Sequence, residues 1–105
     1  MHDKGICHRD LKVENILYMG DRILIADFGS CTFDHTIDYN TASKNAINQY
    51  LNLVESSSTH MYRAPELIDQ YNSEKADLSS DVWSLGCLLY LLSSCKHPFQ
   101  DAQNL

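Results

Sequence analysis

One stretch of this 105-residue chain decides the fold, and it reads His8-Arg9-Asp10-Leu11-Lys12-Val13-Glu14-Asn15. The stretch fits the pattern H-R-D-L-x-x-x-N without a substitution at the fixed positions. A random match to five fixed residues has a likelihood of roughly one in three million per start site. Two short motifs follow in order, Asp27-Phe28-Gly29 and Ala64-Pro65-Glu66. Either tripeptide alone is a weak signal, but the ordered set is specific.

The composition is that of one globular domain, with 44% hydrophobic and 10% aromatic residues. A net charge of −6 argues against sequence-independent binding to the phosphates of nucleic acid. The four cysteines form no C-x-x-C pair and the five histidines show no ligand spacing, so we expect reduced thiols and no structural metal. Polar residues follow Met1, and the apolar run at 83–92 is too short to span a bilayer. These features predict a soluble, cytoplasmic protein.

Local patterns predict a hairpin and an amphipathic helix in the first half of the chain. Residues 16–18 and 23–26 flank a Gly20-Asp21 turn signal, so they are predicted to pair as a β-hairpin that ends at Asp27. Residues 30–43 are rich in Thr, Asp, Asn and Ser and are predicted to be a loop. Apolar residues then recur at helical spacing from Ala46 to Val54, which predicts a short helix inside the loop.

Two further helices are predicted in the second half. The first opens at Ala64-Pro65-Glu66, where proline suits the first turn, and is expected to end near Tyr71. The second covers about residues 80–95, with Ser79 or Ser80 as its cap and Asp81 in its first turn, near the positive end of the helix dipole. Residues 82–92 are apolar on nearly every face. A helix of that kind is normally surrounded by protein.

With these motifs the chain resembles the catalytic domain of eukaryotic-type serine/threonine protein kinases over essentially its whole length. The resemblance implies an α+β fold in which residues 1–105 form the central part of the mainly helical large lobe, with a short β-hairpin. The catalytic loop would be 8–15, the metal-binding turn 27–29 and the activation segment 27–66. The implied activity is transfer of the γ-phosphate of ATP, with Mg²⁺, to serine and threonine hydroxyls of a protein substrate.

The resemblance assigns the reaction to five residues. Asp10 would accept the proton of the substrate hydroxyl, and Lys12, on the same side of an extended loop, would steady the transferred phosphate. Thr59 would contact the catalytic aspartate and shape the peptide site. Asn15 and Asp27 would bind Mg²⁺, for which carboxylate and amide oxygens are suitable donors. The alternative for the last two is structural, an Asx turn and a strand-end cap.

Four residues near the site receive supporting roles from the resemblance. His8 belongs to the catalytic loop, and its neighbour Arg9 is where a phosphate on the activation segment would dock. Phe28 would pack differently in active and inactive states, and Gly29 would let the backbone turn sharply. The candidate phosphate carriers are hydroxyl groups of the loop, with a solvated hydroxyl-rich loop as the alternative: Thr36, Ser56, Ser57 and Ser58.

Four sequence segments at and around the motifs are most similar to the Numb-associated kinase family, whose members phosphorylate clathrin adaptors and related trafficking proteins. These segments are residues 13–17, 27–30, 62–66 and 86–90. The similarity implies endocytic adaptors as partners and a location at the periphery of vesicles. Compared with that subfamily, residues 51–58 look like extra length, either as a real insertion or as an artefact of the gene model.

Several parts of a complete kinase domain would lie outside residues 1–105. A glycine-rich loop, the lysine of a V-A-I-K setting and its glutamate partner would precede Met1. The remaining large-lobe helices would follow Leu105, together with the arginine that pairs with Glu66. Asp81, which is present in the chain, would brace the backbone of the catalytic loop. Without those helices the apolar helix should expose a patch. We therefore expect the chain alone to be inactive and not monomeric.

Two alternatives to a kinase remain open at this point. A non-catalytic binding module, either a pseudokinase or a truncated product, would retain only the peptide-docking surface. The intact acidic and amide residues of the motifs argue against a parent that has lost its chemistry. A small-molecule phosphotransferase of related fold would be expected to lack the Ala64-Pro65-Glu66 segment, which is present here.

Overall fold

A computed structural model describes residues 1–33 and 35–99. It contains three α-helices and two small antiparallel sheets among those residues, which confirms the predicted α+β class. The helices are α1 (Lys44–Ser57), α2 (Pro65–Ile68) and α3 (Ser79–Ser94). The strands are β1 (Ile16–Met19), β2 (Arg22–Ile25), β3 (Ile37–Asp38) and β4 (Lys75–Ala76). The domain predicted for 1–105 extends at Asp34 and at 100–105 outside the described residues.

The first sheet is the predicted hairpin. β1 and β2 pair in register from Ile16 opposite Ile25 to Met19 opposite Arg22. Gly20 has φ of 64°, a left-handed conformation that glycine adopts without the cost a side chain would add. Most hairpin side chains are exposed, so backbone pairing rather than packing holds the two strands together.

The activation segment contains more structure than the loop predicted for residues 30–43. β3 pairs with β4, with Ile37 opposite Ala76, and thereby ties the segment to a stretch of chain nearly forty residues further on. The predicted helix is confirmed as α1 and is longer, because the Ser43 hydroxyl caps it by accepting a hydrogen bond from Ala46 N at 3.1 Å. The core of this region is one cluster of buried residues: Tyr39, Val54, Ala64, Leu67 and Ala76.

Two predicted helix ends need correction. α2 ends at Ile68 rather than near Tyr71, because the Asp69 side chain accepts hydrogen bonds from the next backbone N–H groups and begins a separate 3₁₀ turn. At α3 neither serine acts as the cap. The Asp77 carboxylate accepts from Ser79 N at 2.9 Å and from the Ser79 hydroxyl. The predicted start of α3 is therefore right, but the capping group is Asp77, two residues before Ser79.

The apolar face of α3 is only partly covered. The helix buries Cys87 and Leu88 against Tyr62, while six large side chains stay exposed: Val82, Trp83, Leu85, Leu89, Tyr90 and Leu92. The predicted exposed patch is therefore confirmed. Among the described residues, the helices are all too short or too polar to cross a bilayer.

Candidate active site

The catalytic loop and the end of the activation segment meet at one triangle of polar groups. Thr59 Oγ1 donates to Asp10 Oδ1 at 2.7 Å and accepts from Lys12 Nζ at 3.0 Å. The third side, from Lys12 Nζ to Asp10 Oδ2, is 3.6 Å. All three residues are half-buried, so a substrate could still reach the carboxylate. The fold thus brings together the three residues that were predicted to be catalytic.

The first turn of α3 holds the backbone of the catalytic loop. The Asp81 carboxylate accepts from His8 N at 2.7 Å, from Arg9 N at 3.0 Å and from His2 Nε2 at 2.9 Å. Burial by itself raises the pKa of Asp81, but these hydrogen bonds, together with one from Cys7, outweigh burial and lower the pKa overall. Asp81 is therefore an anion that accepts hydrogen bonds from four residues of the preceding chain, namely His2, Cys7, His8 and Arg9.

His8 connects the loop to the strand that precedes Asp27. Asp10 N donates to His8 Nδ1 at 3.2 Å, so Nε2 carries the proton in the neutral ring and donates to Ala26 O at 2.9 Å. Both ring nitrogens are thus engaged by backbone groups. Phe28, more than half exposed, meets the His8 ring edge at 5.7 Å between ring centres.

The hairpin places Asn15 and Asp27 at the same end. Ala26 N donates to Asn15 O at 2.8 Å, one residue beyond the pairing of Ile16 with Ile25. Asn15 is buried, and its amide nitrogen donates to Asp10 O at 2.8 Å, which leaves its amide oxygen as the available donor atom for a metal. Asp27 is exposed. A carboxylate and an amide oxygen at one strand end fit what Mg²⁺ accepts from proteins, since the ion usually completes its shell with water and phosphate oxygens.

The turn after β2 differs from expectation in one respect. Asp27, rather than Gly29, has the left-handed backbone, with φ of 60°, which aspartate tolerates better than most residues. Gly29 N donates to Asp27 Oδ1, and a Cβ on Gly29 would lie 3.2 Å from that oxygen. A side chain at this position would therefore press on the carboxylate, which would have to shift by a few tenths of an ångström.

Arg9 and Glu66 lie outside the triangle. Arg9 has φ of 73°, and its Nε donates to Ser30 O near the start of the activation segment. The Glu66 backbone carbonyl accepts from the Tyr39 hydroxyl at 2.6 Å, and within residues 1–33 and 35–99 its carboxylate has no ion pair. Among the described residues, neither side chain is therefore paired with the Asp10 carboxylate.

Three residues near the site were not found by sequence reasoning. His2 completes the set of donors to Asp81. Arg63 donates to Ser58 next to Thr59, and the buried His35 contacts Ser80 beside Asp81. The sequence carries no signal for the last two contacts, because each depends on the path of the activation segment.

The family model for the protein kinase domain matches residues 1–105, so the chain belongs to the protein kinase domain family.

Similar curated proteins are serine/threonine-protein kinases. The chain is 40% identical over 96 residues to a probable serine/threonine-protein kinase of Dictyostelium discoideum, covering 90% of the chain and 11% of that protein. A second such protein of the same organism is 41% identical over 103 residues, with coverages of 95% and 9%. The serine/threonine-protein kinase sel-5 of Caenorhabditis elegans is 38% identical over 100 residues, with coverages of 92% and 9%. The chain thus spans about a tenth of the length of these relatives.

Proposed function

We propose that this chain supplies the catalytic centre of a serine/threonine protein kinase, which transfers a phosphoryl group from ATP to a protein hydroxyl. The observation that carries the proposal is the triangle of Asp10, Lys12 and Thr59, with sides of 2.7, 3.0 and 3.6 Å. A carboxylate beside an ammonium group offers a proton acceptor and a positive charge within one small space. That combination suits the attack of a hydroxyl group on a phosphate.

Each member of the triangle has a distinct task in this proposal. Asp10 orients the substrate hydroxyl and accepts its proton, and the hydrogen bond from Thr59 fixes the rotamer of that carboxylate. Lys12 lies within reach of Asp10 and Thr59, and its positive charge balances the negative charge of the transferred phosphate. Because Thr59 belongs to the activation segment, the order of that segment decides whether the carboxylate is correctly placed.

Asn15 and Asp27 are the residues that would hold Mg²⁺ and, through it, the phosphates of ATP. A bound Mg²⁺ neutralises phosphate charge during transfer. Asn15 also spans the loop, because its amide nitrogen binds Asp10 O while its backbone carbonyl binds the strand before Asp27. In this way one residue, Asn15, links the backbone of Asp10 to the end of the hairpin that is proposed to bind the metal.

The test is a substitution in the protein that carries this chain. Asp10→Asn keeps the shape and can still accept the Thr59 hydrogen bond, but it removes the proton acceptor, so we expect kcat to fall by about 10²–10⁴-fold. Asp21→Asn, in the exposed hairpin turn, makes the same chemical change away from the site and should leave kcat unchanged. Transfer of ³²P from labelled ATP to a protein substrate measures both. Wild-type transfer that survives Asp10→Asn would refute the assignment, and peptide binding without any transfer would favour the non-catalytic alternative.

A polypeptide of residues 1–105 alone is proposed to be inactive and to self-associate. Its four glycines do not form a G-x-G-x-x-G loop, so it lacks that means of covering ATP. The exposed apolar side chains of the hairpin and of α3 favour association. Analytical ultracentrifugation of this polypeptide would show a monomer if the second part of the proposal is wrong.

The subfamily, substrates and location are also proposals. Membership of the Numb-associated kinases is supported by the sequence segments 13–17, 27–30, 62–66 and 86–90. This membership implies clathrin adaptors as protein substrates and a cytoplasmic location at vesicle surfaces. The names of the three relatives specify serine/threonine kinases and go no further. A comparison of kcat/KM on purified adaptor subunits and on a generic basic protein tests the assignment, and equal values would contradict it.

A further inference from the structure

His97 is a buried histidine with one engaged ring nitrogen. The residue is 7% exposed, and Phe99 N donates to His97 Nδ1 at 3.0 Å. Burial lowers the pKa of His97, so the ring is neutral near pH 7 and carries its proton on Nε2. Among residues 1–33 and 35–99, that buried Nε2–H group has no hydrogen-bond acceptor. A buried donor of this kind costs stability unless another group interacts with its proton.

The ring of Tyr62 lies directly against this histidine. The two ring centres are 4.6 Å apart, and the ring planes meet at 81°. In such an edge-to-face pair the positive edge of one ring meets the negative π face of the other. An N–H group that points at an aromatic face recovers part of a hydrogen bond. The face of Tyr62 can therefore act as the acceptor that the Nε2–H group of His97 otherwise lacks.

Tyr62 connects the activation segment with the catalytic loop. Its backbone N–H donates to Thr59 O at 3.0 Å, and its carbonyl accepts from the Ser84 hydroxyl of α3 at 2.6 Å. Burial raises the pKa of Tyr62, and a hydrogen bond to its hydroxyl oxygen from the backbone of Val13 opposes that shift. Val13 directly follows Lys12. Tyr62 is therefore bonded to one member of the triangle and to the neighbour of a second member.

We propose that His97 is a positioning residue for the triangle, and that it acts by pointing its Nε2–H group at the face of the Tyr62 ring. That ring is 6% exposed and belongs to a cluster with Cys87 and Leu88, so its hydroxyl group moves only if the ring tilts. His97 packs against the ring and opposes the tilt. A tilted ring would withdraw its hydroxyl oxygen from the Val13 backbone, and the catalytic loop would lose a restraint beside the triangle.

A second buried histidine shows that this geometry is not a general result of burial. His35 lies 5.5 Å from Tyr50 between ring centres, at an interplanar angle of 37°, and its Nε2 is within hydrogen-bond distance of the Tyr50 and Ser80 hydroxyls. The histidine edge therefore does not meet the tyrosine face squarely. The effect of His97 on catalysis rests on the proposed function, whereas its contact with Tyr62 does not.

NMR of the protein that carries this chain, labelled with ¹⁵N in histidine only, tests the contact. The ring current of an aromatic face shields a proton above it, so the Nε2–H proton of His97 should resonate upfield of an ordinary imidazole N–H. Its signal is identified by its loss in His97→Asn. Tyr62→Phe keeps the aromatic face, so the signal should stay upfield in that variant. A wild-type signal at the downfield position of an N–H bonded to oxygen or nitrogen would overturn the proposal.

Kinetics of the same two variants test the positioning role. His97→Asn keeps an oxygen that can accept from Phe99 N but lacks the Nε2–H group, and Tyr62→Phe lacks the hydroxyl group. We expect each substitution to lower kcat per folded molecule by about 10-fold, with KM for ATP little changed, because small misplacements of reacting groups slow transfer. The double variant should be no slower than either single variant, since both changes remove the same restraint.

The matched control is His60→Asn, which makes the same chemical change at an exposed histidine and should leave kcat unchanged. An unchanged kcat in His97→Asn, or a double variant whose loss is the product of the two single losses, would contradict the positioning role. If His97→Asn does not fold, His97→Phe replaces it, and kcat should again fall, because a C–H edge meets the Tyr62 face more weakly. The NMR signal requires no phosphoryl transfer, so its failure is distinct from failure of the proposed function.

Discussion

His35 makes the stability of the activation segment depend on pH. The ring is 1% exposed, its Nε2 lies 2.8 Å from the Ser80 hydroxyl, and the Tyr50 hydroxyl lies 3.3 Å away. Among the residues that the structure describes, Nδ1 is buried without a hydrogen-bond partner. Protonation would add a buried charge with no acceptor for its second N–H. The segment is therefore held to α3 by a neutral histidine.

The size of the effect follows from the difference between the pKa of His35 in the folded state and its pKa in the unfolded chain. Burial lowers the pKa of His35 from 6.5 to about 4; the charge of Arg9 adds to this shift, and Asp81 and Asp77 oppose it. Because the folded pKa is the lower one, the unfolded chain binds more protons below pH 6.5. The stabilisation is thus complete above 6.5 and is lost as pH falls towards 4. Linkage gives a loss of about 2 kcal/mol between pH 7.5 and 5, or about 30-fold in the population of the opened segment.

Hydrogen exchange of the α1 amides measures this opening. After correction for intrinsic exchange rates, protection in the wild type should fall by about 30-fold between pH 7.5 and 5. His35→Gln offers Ser80 an uncharged partner that does not titrate, so protection should become nearly independent of pH. His60→Gln removes an exposed histidine of the same segment and should retain the wild-type dependence. A wild type no more pH-dependent than His35→Gln would refute the reasoning.

Three further substitutions test the framework around the site. Asp81→Asn weakens the acceptor that the catalytic-loop amides share, so the free energy of unfolding, measured with denaturant, should fall by about 2–3 kcal/mol. We also expect a lower kcat, and an unchanged kcat would show that this bracing is dispensable. Cys95→Gly should raise stability by about 1 kcal/mol, since residue 95 ends α3 at φ of 60°, whereas Cys95→Ala should not. Val54→Ala should cost roughly 2 kcal/mol because Val54 is 2% exposed, while Leu53→Ala, at an exposed neighbour, should change the unfolding free energy by less than about 0.5 kcal/mol.

The hairpin and α1 were predictable because their signals are local. Two short apolar runs on either side of a Gly-Asp turn, and apolar residues at helical spacing, are signals that act within a few residues of the chain. The end of α2 was not predictable, because Asp69 redirects the backbone by capping a new turn. The strand β3 has only two residues and exists because β4, nearly forty residues later, pairs with it.

The order of the three motifs in the sequence determined the family and named the groups of the candidate site. Their arrangement depends on tertiary structure, since Thr59 reaches Asp10 only when the activation segment folds back over 49 positions. The same holds for Asp81, which lies 73 positions beyond the His8 amide that it binds. Contacts over such distances depend on where the chain packs, and local sequence carries no information about that packing. For this reason the sequence indicated the chemistry, whereas the contact of His35 with Ser80 and that of Arg63 with Ser58 emerged only from the folded chain.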